Sequence, residues 1–243
     1  MENKRGKVIT VYSTKGGVGK SVITVNLAST FESMGLKTLI IDLDLFSGAI
    51  ATYLNSNLDK TIFNLVEDLT NNKYKTIDDY TYHYNSNISL IASPKDPRNS
   101  RKIEAKYLPL ILRNAVYKYD IVLLDTTHSY SDINICALDN SDKILYIFTN
   151  DLFDIKNTRS FMSILNDLEY NNCYTVLNES IKPNRSYYSL YDIRSIIKHN
   201  VDFTISKSNH IKNIDKSISN IKLPSMKLKD IAQKLLEDKE EEK

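Results

Sequence analysis

Short aliphatic and β-branched runs alternate along the chain with longer stretches in which apolar residues recur three and four positions apart. The first pattern suits buried strands and the second amphipathic helices. Strands are predicted at residues 7–13, 38–43, 88–92, 119–125, 143–148, 173–177 and 201–205. Helices are predicted at 21–34, with Gly35 as a C-cap, and at 103–117, 155–168, 190–198 and 228–236, with a short one at 48–54. This alternation predicts an α/β fold: a mainly parallel, twisted sheet of about seven or eight strands with helices on both faces. No repeat or composition break divides the chain, so a single domain over residues 1–243 is expected, with an acidic tail at 237–243. Residues 71–87 are the least regular part. There Tyr80, Tyr82 and Tyr84 alternate with polar residues, as in a peripheral strand or hairpin; an aromatic partner-binding face is the alternative.

Between the first strand and the first long helix lies Lys15-Gly16-Gly17-Val18-Gly19-Lys20-Ser21. In a P-loop, backbone N–H groups of a glycine-rich turn surround phosphates, a lysine reaches the β- and γ-phosphates, and a Ser or Thr hydroxyl holds Mg²⁺. Here Lys20 and Ser21 take the last two roles, and Gly16, Gly17, Val18, Gly19 and the backbone of Val22 complete the cradle. The strict pattern asks for glycine at position 14, where this chain has Thr14; beside it stands a second cation, Lys15. The expected class is therefore a single-domain P-loop NTPase that binds a nucleoside triphosphate and Mg²⁺.

Open α/β sheets bind ligands beyond the carboxyl ends of their strands. Two predicted strands end in acids there: residues 38–43 run into Asp42-Leu43-Asp44, and Ile121-Val122-Leu123-Leu124 ends in Asp125. Four apolar residues and an aspartate form a Walker B strand, whose carboxylate holds Mg²⁺ directly or through water. Ser21, Asp125 and Asp42 make up the expected metal site. Transfer of a phosphoryl group to water needs a residue that positions the water; Asp44 is assigned that role, with Asp42 orienting the loop. Capping of the 48–54 helix is the alternative for one of the two.

Charge and cysteine content narrow the class. Cys136 and Cys173 are far apart and have no C-x-x-C partner, which argues against a disulfide framework or a zinc site and fits a reducing cytoplasm. The N-terminal apolar run is too brief for a signal sequence, and no stretch approaches the ~18 apolar residues of a membrane span. Net charge is +2, but residues 182–234 carry 11 Lys or Arg against 4 Asp. A solvated lysine-rich surface is the commoner origin of such a bias, and nucleic-acid contact is the other.

These motifs resemble the deviant Walker A ATPases of the ParA/MinD superfamily over essentially the whole chain. The resemblance rests on the 15–21 loop, on Leu39-Ile40-Ile41-Asp42-Leu43-Asp44 and on Tyr119 to Asp125. Asp42 to Gly48, Tyr53-Leu54 and Ile91 to Pro97 look most like the TadZ/CpaE pilus-assembly branch. That branch commonly carries a receiver-like N-terminal domain, whereas the first strand here begins about six residues after Met1. The resemblance implies a nucleotide-sandwich homodimer in which Lys15 of one subunit reaches phosphates bound by the other, with Lys15, Lys20 and Asp44 catalytic. It also implies that Asn178 reads the adenine edge, although Glu179 replaces the usual neighbouring arginine. Hydrolysis is expected to be slow and stimulated by an activator or cargo protein, with recruitment to a pole, nucleoid or membrane-associated complex. Leu45-Phe46 stands where partition ATPases have Pro-Gln, Val22 where a second Thr is common, and Thr126-Thr127-His128 where a proline-containing turn is frequent.

Two functions compete on this basis: a switch that positions a pilus or secretion assembly, and a partition ATPase whose ATP dimer binds nonspecific DNA. For the latter stand Arg185, Arg194, Lys198, Lys212 and Lys216, interleaved with Tyr187, Tyr188 and Tyr191. Leu228, Ile231, Ala232, Leu235 and Leu236 form an apolar stripe, but the acidic end beyond it disfavours a membrane anchor, so packing onto the sheet is expected and integral membrane association is not. A tyrosine autokinase would need a C-terminal tyrosine cluster, and this chain has no tyrosine after Tyr191. An iron–sulfur reductase would need paired cysteines.

Overall fold

The computed structural model describes residues 5–56, 58–179, 188–206 and 225–237. Eight strands form one sheet: β1 (Lys7–Tyr12), β2 (Thr38–Asp42), β3 (Tyr82–His83), β4 (Ile88–Ile91), β5 (Ile121–Asp125), β6 (Lys143–Phe148), β7 (Cys173–Asn178) and β8 (Phe203–Ile205). Their order is β3-β4-β2-β5-β1-β6-β7-β8. Every pairing is parallel except β3 with β4. The helices are α1 (Lys20–Ser33), α2 (Ile50–Tyr53), α3 (Ile62–Thr70), α4 (Leu108–Ala115), α5 (Asp132–Asp139), α6 (Leu152–Asp167), α7 (Leu190–Ile197) and α8 (Ser225–Leu236).

The central strands are buried at every position of β2, β5 and β6, which is why they read as continuous apolar runs and not as alternation. Their two faces feed different clusters. Ile9, Val11, Ile40 and Leu123 pack against α1 and α8, whereas Val8, Leu39, Ile41 and Leu124 pack against α3 and α4. In the parallel register Asp125 pairs with both Asp42 and Val11. Two acids and the end of β1 are thereby brought to one carboxyl edge at the middle of the sheet.

Three parts differ from expectation. Helices α3 and α5 arise where none is predicted. At the start of α3 the Asn64 Oδ1 accepts from the backbone N–H and the hydroxyl of Thr61 at 3.0 and 3.3 Å, a capping box with Asn in place of Glu or Gln. The helix predicted at 103–117 is shortened to α4, preceded by 3₁₀ turns at Pro97–Lys102 and Ala105–Tyr107. Pro109 explains the late start, since proline is tolerated only in a first helical turn. Between residues 71 and 87 only Tyr82 and His83 form a strand. Tyr80 sits in a 3₁₀ turn (Ile77–Tyr80), buried, stacked on Tyr74 at 6.1 Å and donating to Asp68 at 2.6 Å. It belongs to the core and not to an aromatic docking face.

Helix α8 packs back on the body. Leu228, Ile231, Ala232 and Leu235 are buried in the cluster that holds α1. Among the described residues no helix is long and apolar enough to cross a membrane. Of the basic residues considered for DNA, Arg185, Lys212 and Lys216, with Tyr187, lie outside the described residues. Arg194 donates to the Val201 carbonyl at 3.3 Å, and Tyr191 is exposed.

Candidate nucleotide-binding site

The loop between β1 and α1 turns through two left-handed glycines, Gly17 (φ 73°) and Gly19 (φ 96°), the latter capping α1. A side chain at either would be strained. At Gly16 the constraint is proximity, since a Cβ would lie 3.4 Å from the His128 ring. The 126–128 turn therefore closes directly over the loop.

Hydroxyls organise the charged groups. Lys20 is buried, and its Nζ donates to Ser13 Oγ at 2.8 Å, which donates on to the Lys15 carbonyl at 2.7 Å. Burial lowers the Lys20 pKa, opposed by the charges of Asp125 and Asp44. Ser21 Oγ donates to Asp125 Oδ2 at 2.6 Å, and Thr24 Oγ1 lies 3.0 Å from Asp125 Oδ1. Asp125 is fully buried; desolvation pushes its carboxyl up against the Ser21 hydrogen bond and the Lys20 charge.

Asp42 has both oxygens engaged. Oδ1 accepts from Asp44 N–H at 3.1 Å, and Oδ2 from Ile50 N–H at 3.3 Å and Ser93 Oγ at 3.4 Å. It shapes the loop and caps α2, the arrangement foreseen as the alternative for one acid of the pair. Burial first, then the charge of Asp125, raise its pKa. Gly48 makes the turn possible: a Cβ there would stand 1.8 Å from Ser93 Oγ and 2.5 Å from Asp42 Oδ2. Asp44 is left facing the site, with Oδ1 also accepting from Ser47 N–H at 3.1 Å.

A cavity of about 370 Å³ is bounded by Gly16, Gly17, Gly19, Lys20, Ser21, Val22, Ile23, Asp44 and Asn178, with Tyr53, Thr126, Thr127 and His128 completing the wall. Asn178 Nδ2 donates to the Val18 carbonyl at 2.8 Å, tying the end of β7 to the loop. Lys15 lies to one side, its Nζ 2.9 Å from Asp151 Oδ1. Ser13, Thr24 and Asp151 escaped the sequence reading, and Tyr53 and Ser93 entered it only within the TadZ/CpaE-like motifs, with no role at the site. Thr24 alone carried a usable signal: it stands three residues after Ser21, on the same helical face.

A family model described as an AAA domain (AAA_31) matches residues 6–181. Among curated relatives, the uncharacterized protein MJECL24 of Methanocaldococcus jannaschii is 28% identical over 78% of this chain and 75% of its own length. The uncharacterized ATP-binding protein MJ0169 of the same organism is 25% identical over 61% of this chain, which spans only 55% of that relative. Among solved structures, a ParA family ATPase from Chlorobium tepidum superposes with a TM-score of 0.81 at 18% identity, covering 93% of this chain and 98% of that one. MinD from Pyrococcus horikoshii, complexed with Mg-ADP, gives 0.79 at 18% identity with 96% of each chain covered. A putative plasmid partition protein from Borrelia burgdorferi bound to AMPPNP gives 0.73 at 25% identity, over 95% and 99% of the two chains. The fold is that of the ParA/MinD P-loop NTPases, and the chain belongs to the AAA_31 family of AAA domains.

Proposed function

We propose that this chain is a slow ATPase whose ATP-bound form dimerises as a switch to position a cellular assembly. The observation that carries the reading is the linkage of Ser21 and Thr24 to the two oxygens of Asp125, beside a buried Lys20. A hydroxyl and a carboxylate are hard oxygen donors, the set that suits Mg²⁺ held together with nucleotide phosphates. Bound there, Mg²⁺ would neutralise charge on those phosphates.

The protein's own groups account for the rest. Backbone N–H groups of Gly16 to Val22 and the Lys20 ammonium hold the β- and γ-phosphates. Asn178 faces the base. Asp44 orients a water whose oxygen attacks the γ-phosphorus as the bond to the β–γ bridging oxygen breaks; ADP leaves, and phosphate carries away the water's oxygen. Lys15 of a second subunit stabilises the charge on the transferring group, so that hydrolysis depends on dimerisation.

The assembly positioned is read as a TadZ/CpaE-like pilus or secretion complex, on the Asp42 to Gly48 and Ile91 to Pro97 motifs. A partition ATPase binding nonspecific DNA is the second reading, favoured by the 25% identity to a plasmid partition protein and by the basic bias of residues 182–234. ATP-dependent retention on nonspecific DNA at low salt, lost near ~200 mM, would select the second reading; no retention would remove it. Hydrolysis by the purified chain, absent in Lys20→Ala, tests the activity common to both.

A further inference from the structure

We propose that the Tyr53 hydroxyl donates a hydrogen bond to the γ-phosphate of bound ATP and thereby lets the site distinguish ATP from ADP. The inference rests on the ATPase reading above and adds to it a residue that reads the terminal phosphate.

Tyr53 reaches the cavity through a chain of contacts that starts at the sheet. Asp42, opposite Asp125 in the parallel register of β2 and β5, accepts from Ile50 N–H at 3.3 Å and so fixes the start of α2. Tyr53 ends that short helix, its N–H donating to the Ala49 carbonyl at 3.1 Å. Its ring packs against the cluster that holds α1, and Leu54 beside it is buried. The side chain is half-buried and forms part of the cavity wall with Lys20, Ser21 and Asp44. Asp42 therefore supports two parts of the site at once: one oxygen holds the loop through Asp44 N–H, and the other holds the helix that carries the tyrosine.

The hydroxyls of that wall are not equally available. Ser21 gives its proton to Asp125 at 2.6 Å, and Thr126 gives its own to the Val11 carbonyl at 2.7 Å. Thr127 Oγ1 shares a hydrogen bond with Ser129 Oγ at 2.8 Å and accepts from Asn134 Nδ2 at 2.7 Å. Tyr53 is left, and among the described residues its hydroxyl has no hydrogen-bond partner. Burial, and then the charge of Asp125, raise its pKa, so the phenol stays a neutral O–H donor at neutral pH. The influence of Asp125 also places the hydroxyl toward the acidic edge, where Ser21 and Asp44 serve the metal and the attacked phosphorus in the reading above. A carboxylate there can only accept, whereas a phenol can donate to a phosphate oxygen without adding charge.

ATP and ADP differ by the γ-phosphate alone. The loop N–H groups and Lys20 act on both nucleotides through the β-phosphate, but a donor at the γ-phosphate acts on ATP only. A hydrogen bond to a charged group is worth about a tenfold change in affinity. The test is calorimetric titration of the whole chain with a non-hydrolysable ATP analogue and with ADP, both in Mg²⁺, at concentrations where light scattering finds a monomer. Tyr53→Phe removes the hydroxyl and keeps the packed ring. It is expected to bind the analogue about tenfold more weakly and ADP with unchanged affinity. Tyr53→Leu, which lacks the same hydroxyl, is expected to show the same selective loss. The selective loss in Tyr53→Phe alone also supports the proposal, since the smaller leucine leaves room for a water to take the hydroxyl's place. Unchanged affinities in Tyr53→Phe, an equal loss for both nucleotides, or a selective loss confined to Tyr53→Leu overturns it and leaves the ATPase reading intact. If the wild type binds neither nucleotide, the ATPase reading fails and this assignment with it.

Discussion

Ser21 Oγ donates to Asp125 Oδ2 at 2.6 Å, so the second residue of α1 and the last residue of β5 form one oxygen-rich edge at the mouth of the loop. Two segments far apart in the chain meet there because β5 is the parallel neighbour of β1, with Asp125 opposite Val11. Asp125→Asn keeps an acceptor for Ser21 and removes the charge. It should weaken MgATP binding by at least about tenfold and leave metal-free nucleotide binding nearly unchanged. Titration of a fluorescent ATP analogue with and without Mg²⁺ measures both.

Gly48 faces Ser93 and Asp42 with no room for a Cβ. Gly48→Ala should destabilise the chain by about 1–3 kcal/mol through overpacking and lower hydrolysis by displacing the Asp42-anchored loop that carries Asp44. Ser93→Gly in the same chain should restore part of the stability. Denaturant titration of the single and double variants compares them.

Asp154 is a buried carboxyl whose pKa is raised, first by burial, against the opposing Thr149 hydrogen bonds. A raised acid takes up a proton on folding, so its stabilisation is fully present below the ordinary carboxylate value of about 4 and is lost as pH rises through the raised folded value. Asp154→Asn should remove this component. The variant's melting temperature should then fall less than the wild type's between acidic and neutral pH, as thermal denaturation across that range would record.

Leu235 is fully buried where α8 meets α1. Leu235→Ala should cost about 2–5 kcal/mol, as for other buried leucines. A membrane-seeking α8 that left the body in solution would instead give a change near zero. Urea unfolding in the absence of lipid separates these results.

The central strands were legible because burial on both faces leaves uninterrupted apolar runs, and the end of β5 falls on Asp125 as expected. Helix α3 was missed because its cap is Thr61 with Asn64, a pair that does not stand out among many polar residues. Tyr80 was misread because alternation along residues 80–84 takes no account of the Tyr74 ring and the Asp68 carboxylate brought to it by the fold. In the site, Lys20, Ser21 and Asp125 were readable from spacing alone. Asp151 was not: its contact with Lys15 depends on β6 lying beside β1, which no local pattern encodes.

If ATP makes a dimer whose breakdown needs Asp44, light scattering of purified Asp44→Ala with ATP and Mg²⁺ will show it. A persistent dimer that reverts to monomer when nucleotide is removed is the expected result. A monomer throughout, while the variant still binds ATP, would contradict the account.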